Sequence, residues 1–144
     1  MSGEYPRLLA KRADAMLSLA RELYERGLYD IAVLNAEFAA QLYAKALLYR
    51  VTGEEWRGHN IRQLLGALVL ALREQKLFEE AEEVERFVRG FRRFLAELEE
   101  AHTRAVYGVY EYSGEQARML IEVAERVIEL LKRVEGRVFG GYGQ

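Results

Sequence analysis

Apolar side chains recur at helical spacing along nearly the whole chain, and no segment alternates as a half-buried strand would. Leu9, Ala13, Met16, Ala20 and Leu23 form one stripe of a first helix that opens near Pro6 and ends with Gly27 as its C′ residue. The stretch from Asp30 to Tyr49 is different. Its polar side chains Asp30, Glu37, Gln41 and Lys45 fall on one narrow stripe, and nearly everything else is apolar. A helix this apolar around its circumference is covered on several sides, so it is predicted to be the central helix. Asn35 sits roughly opposite the stripe and needs partners for its amide if buried there. Asp30 is placed as the cap of this helix and Thr52-Gly53 as its close. The tight link through Leu28 and Tyr29 makes the first two helices antiparallel neighbours.

After a polar loop from Glu54 to Gly58, Asn60 and Gln63 give a capping-box-like start to a third helix that ends near Gln75. A fourth begins near Leu77, where Ala81, Val84, Val88, Phe91, Leu95 and Leu98 keep heptad spacing and predict one long helix. The pattern breaks between Thr103 and Tyr112, where Gly108 and three tyrosines replace the periodic apolar residues. Ser113 and Gln116 form a second capping box, and a fifth helix follows until Gly136. The prediction is an all-α chain of five helices, with at least four in an antiparallel up-down bundle. Residues 1–136 make one domain, and 137–144 a flexible C-terminal tail.

Composition narrows the chemistry. A chain of 144 residues, 51% hydrophobic and 31% charged, is enough for one globular domain with one core. The longest apolar run, Leu64 to Leu72, is far shorter than the ~20 residues of a membrane span. The mixed charges at the N-terminus do not read as a secretory signal, so the expected location is cytoplasmic. The absence of cysteine excludes disulfides and thiolate metal sites, and two histidines are thin material for a metal centre. A net charge of −2 argues against a generally basic surface but leaves room for a local basic pocket. Few asparagines, no cysteine and heavy use of arginine and glutamate are compatible with a thermophilic source.

Most charge patterns have a plain reading as solvated faces. Arg86, Arg89 and Arg93 share their stripe with Glu82, Glu97 and Glu100, which nearly neutralises it. The Glu37, Gln41, Lys45 stripe faces either a groove, a subunit interface or simply water between neighbouring helices. His59 stands at the positive end of the third helix, as a loop residue or near an anion. Arg104 among tyrosines suits a phosphate and a stacked base, or else a carboxylate partner with the tyrosines covering the core's end.

Three segments, AVLNAEFAAQLYAKALL, GHNIRQLL and TRAVYGVY, in that order and spacing resemble the HEPN (higher eukaryotes and prokaryotes nucleotide-binding) domain family over roughly residues 7–135. Lys45 matches the family's central-helix lysine, and His59 the histidine before the third helix. Gln41 stands where glutamate is common, and Arg104 matches the arginine before the last helix. The resemblance implies an all-α fold, a homodimer and a minimal nucleotidyltransferase as partner in a toxin–antitoxin pair. Several branches of the family are metal-independent endoribonucleases with an arginine followed at short spacing by a histidine. Here no histidine follows Arg104, and His102 precedes it. RNA cleavage without a metal needs an acid and a base that titrate near neutrality, a role tyrosine fits poorly.

The expectation is therefore a non-catalytic, dimeric domain that binds nucleotide, a nucleotidyltransferase partner, or both. Lys45, His59, Arg104 and Tyr107 would converge on one cleft beside Glu37 and Gln41, with no cofactor or metal. Neither DNA nor a membrane is expected as a partner. The alternatives are a rearranged endoribonuclease toxin that uses Arg104, and a purely structural interaction module.

Overall fold

The computed structural model describes residues 3–58 and 60–140. Among them lie seven helices and no strand: α1 Glu4–Glu25, α2 Tyr29–Thr52, α3 Ile61–Glu74, α4 Phe78–Gly90, α5 Arg92–Glu99, α6 Ala101–Tyr107 and α7 Gly114–Phe139. The chain is all-α as the periodicity requires. The count of five is corrected, because the predicted fourth helix is two shorter ones, α4 and α5, and α6 forms largely within the stretch where the periodic pattern breaks.

Both sides of α2 explain its place at the centre. Ala32, Ala36, Ala39, Ala40, Ala44 and Ala46 are fully buried, and such small side chains let the neighbouring backbones approach closely. Helices α1, α3, α5, α6 and α7 all pack on it. By length and composition alone α2 could cross a bilayer, but here the bundle buries most of its surface.

Side-chain pairs give the directions. Tyr5 and Tyr49 meet with ring centroids 5.2 Å apart, so α1 and α2 are antiparallel. Lys132 pairs with Asp14 and Arg21 with Glu125, which makes α1 antiparallel to α7 as well. Tyr43 donates to Glu135 Oε1 at 2.8 Å, while the Tyr112 amide at the foot of α7 donates to Asp30, so α2 and α7 run parallel. Arg133 on α7 reaches Glu83, and Arg126 covers the Phe91 ring, so α4 runs the other way. The column α4–α5–α6 thus completes an up-down bundle with α1, α2 and α7. Helix α3 is braced outside that frame by Arg62–Glu99 at its start and Arg73–Glu85 at its end.

Local chemistry sets the boundaries. At the end of α1, Leu28 N–H donates to Leu23 C=O and Gly27 N–H to Tyr24 C=O, the paired bonds of a Schellman close with Gly27 at φ +78°. Leu77 and Lys76 repeat the same pair of bonds after α3, with Lys76 held at φ +63°. Asn60 caps α3 by accepting from the Gln63 amide, and Ser113 with Gln116 forms a full capping box on α7. Asp30 is not the α2 cap. Leu28 takes that position, and Asp30 in the first turn accepts the Tyr112 N–H instead.

The heptad seam does run through Leu98, but the backbone breaks at Phe91 and again at Glu100. Phe91 stacks on Phe87 at 4.5 Å and lies beneath Arg126, contacts that side-chain spacing cannot distinguish from an unbroken helix. The other correction lies at the C-terminus. Gly136 does not end α7, which continues to Phe139 beneath the Arg50 guanidinium, 4.2 Å from the ring centroid. Residues 141–144 of the expected tail lie outside the described residues.

Candidate functional site

The polar stripe of α2 meets three different environments along its length. In the middle, Glu37 and Gln41 do not face water. They are 0% and 1% exposed. Gln41 Nε2 donates to Glu37 Oε2, and His102 Nδ1 on α6 lies 3.1 Å from Glu37 Oε1 and 3.5 Å from Gln41 Nε2. Burial pushes the Glu37 carboxyl above the usual carboxylate range, the hydrogen bonds from Gln41 and His102 pull it back, and the nearby Glu99 charge raises it. The His102 ring lies 5.9 Å from Phe38 and remains within reach of solvent. Glu99 is occupied by Arg62, whose Nε lies 3.0 Å from both carboxylate oxygens. That pairing holds the Arg62 guanidinium firmly cationic.

At the N-terminal end of the stripe, Asp30 ties down Tyr112, and Arg104 lies over the Tyr112 ring at 4.5 Å. Burial pushes the Tyr112 phenol up, with Arg104 opposing it. Tyr112 therefore covers the core. Tyr107 and Tyr110 do not: they are 79% and 78% exposed, on a ridge with Val106 and Val109. The turn that produces this ridge is tight, since a Cβ on Gly108 would stand 2.5 Å from the Arg104 carbonyl.

Lys45 belongs to the opposite end. It is half-buried in a cleft of about 350 Å³ whose walls include Tyr5, Leu9, Leu42, Tyr49, Glu55, Trp56 and Arg57. Partial burial lowers the pKa of its ammonium, and the Glu37 charge opposes that. The cleft therefore offers two cations, one carboxylate and three aromatic rings, a suitable lining for a flat, anionic ligand.

Lys45 and Arg104 do not share a cleft within the chain. Arg104 is anchored through Tyr112 at Asp30, and the fifteen residues of α2 from there to Lys45 rise ~22 Å at 1.5 Å each. Tyr107 stays with Arg104 on α6. His59 lies outside the described residues. Within one chain, Lys45 thus marks one place and Arg104 with Tyr107 another, with the buried Glu37–Gln41 pair between them. Trp56 and Arg57 were missed because a polar loop reads as a connection. The one signal was the chain's only tryptophan beside an arginine, directly before the third helix.

No curated protein and no solved structure matches the chain. Residues 6–134, nearly the whole of it, match the HEPN domain. Family, helical fold and central helix agree, and the chain belongs to the HEPN domain family.

Proposed function

We propose that this is a non-catalytic nucleotide-binding domain whose ligand occupies the Lys45 cleft. One observation carries the reading: Lys45 and Arg57 converge with Tyr5, Tyr49 and Trp56 around an open space of about 350 Å³. Two cations neutralise phosphate, while an aromatic face stacks on any base and contributes about 1–3 kcal/mol per base. Trp56, the chain's only tryptophan, reports directly on the cleft. Titration with AMP, ATP and GTP should quench its fluorescence, and Lys45→Ala should weaken the response. Unchanged emission at millimolar nucleotide would remove this function.

The exposed ridge of Val106, Tyr107, Val109 and Tyr110 is the surface we assign to protein contacts, either a second copy or a nucleotidyltransferase partner of a toxin–antitoxin pair. Light scattering of the chain alone and after Tyr110→Ser tests the homodimer. A monomer in both leaves the ridge to another partner.

The second reading, an endoribonuclease, is favoured by the Glu37–His102 pair. A buried carboxylate orienting a solvent-reachable imidazole is an arrangement suited to proton transfer, and Arg104 is on the same short helix. Incubation with RNA in chelator separates the readings: cleavage that disappears in His102→Ala would establish the enzyme.

A further inference from the structure

The Lys45 cleft does not stand alone. The edge-on pair Tyr5 and Tyr49 is also a wall of a second depression of about 580 Å³, lined by Glu4, Arg7, Leu8, Lys11 and the same two tyrosines. On α1, Tyr5 and Leu9 face the first depression, while Arg7, Leu8 and Lys11 face the second. Together the two carry four cations against two carboxylates, a net +2 on a chain whose total is −2. The rest of the molecule therefore carries −4, and an anion is drawn to this end of the bundle.

We propose that the paired depressions bind two linked nucleotides of a single strand, one base on each side of the Tyr5–Tyr49 partition. This rests on the nucleotide-binding reading above and names its substrate class. Each depression falls in the size range of a ligand site. Each also has what a nucleotide requires: Lys45 and Arg57 with Trp56 on one side, Arg7 and Lys11 with the shared tyrosines on the other. A mononucleotide seated in the Lys45 cleft does not span the Tyr5–Tyr49 partition to Arg7 and Lys11. A strand places its next phosphate and base there, and stacking gives affinity with little preference for sequence.

The experiment is a Trp56 fluorescence titration of the full chain with AMP, ATP and the dinucleotide pApA, repeated on Lys11→Ala and on Arg7→Ala/Lys11→Ala. Both sites lie on the exposed face of α1, and circular dichroism checks that each variant keeps its helix content. The expected result is pApA binding at least about tenfold tighter than AMP, with the excess lost in the double variant and AMP affinity retained. The slope of log affinity against log salt should be steeper for pApA by about 0.7 per added phosphate contact. Equal affinity for AMP and pApA overturns the two-nucleotide site and leaves the nucleotide reading intact. ATP matching pApA in both affinity and sensitivity to the variants overturns the second base. A pApA advantage that survives the double variant overturns the assigned position. Silence with all three ligands removes the nucleotide reading itself.

Discussion

Glu37 and Lys45 stand eight residues apart on one stripe of α2, a rise of ~12 Å, and burial has shifted both away from their ordinary titration. What surrounds them differs. Glu37 is sealed from solvent, with Gln41 and His102 as hydrogen-bonding partners. Lys45 opens into a cleft shared with a second cation and three aromatic rings. A polar group whose hydrogen bonds are all met inside the protein fixes structure, whereas one facing an open cleft is available to a ligand. The same helix face therefore holds the bundle together in its middle and binds at its end.

Replacing the sealed group should cost the most stability. Glu37→Ala leaves the buried Gln41 amide without its carboxylate acceptor and removes the His102–Glu37 bond between α6 and α2, and should destabilise the fold by about 2–3 kcal/mol. Urea denaturation should show the lower midpoint at an unchanged slope. A loss below about 0.5 kcal/mol would show that the pair does not hold α6, and the contrast between the two groups would collapse.

The open group should behave in the reverse way. Lys45→Ala should leave stability within about 0.5 kcal/mol, yet weaken nucleotide binding about tenfold, which corresponds to about 1.4 kcal/mol. The same affinity should fall at alkaline pH earlier than an ordinary lysine would require, because the lowered Lys45 pKa releases its proton sooner. Calorimetric titration across that range checks both statements. An affinity that is flat with pH would assign the phosphate to Arg57 alone.

The sequence carried one half of this contrast better than the other. The caps Asn60 and Ser113, the Gly27 close and the apolar wrap of α2 are local patterns, and each is present in the fold. Glu37 and His102 are 65 residues apart, and no spacing rule joins an acid on one helix to an imidazole on another. Reading His102 only against Arg104 hid its actual partner. The separation of Lys45 from Arg104 within the chain escaped notice for a similar reason, since resemblance matches residues one at a time and does not measure the ~22 Å of helix between two of them. Trp56 had no periodic context at all.

The smallest expected effect gives the sharpest separation. The folded pKa of Glu37 lies above its unfolded value because burial outweighs the hydrogen bonds and charge that oppose it. Below the unfolded pKa both states keep the proton, and the contribution of Glu37 to stability is fully present. As pH rises, the unfolded chain releases its proton first and is favoured increasingly, until the folded pKa is passed and the difference levels off. Glu37→Gln does not titrate, retains an oxygen acceptor for Gln41 and should match or exceed the parent by up to about 1 kcal/mol at neutral pH. The gap should narrow toward acid when both proteins are unfolded in urea at intervals over roughly pH 4 to 7, because groups that do not interact with residue 37 titrate alike in both and cancel. Repeating the pair in a His102→Ala background removes the direct titratable partner of Glu37. A parent that instead gains on Glu37→Gln as pH rises would mean that His102 and Gln41 overcome burial. Glu37 would then be an anion paired with its histidine, the charge state the endoribonuclease reading needs.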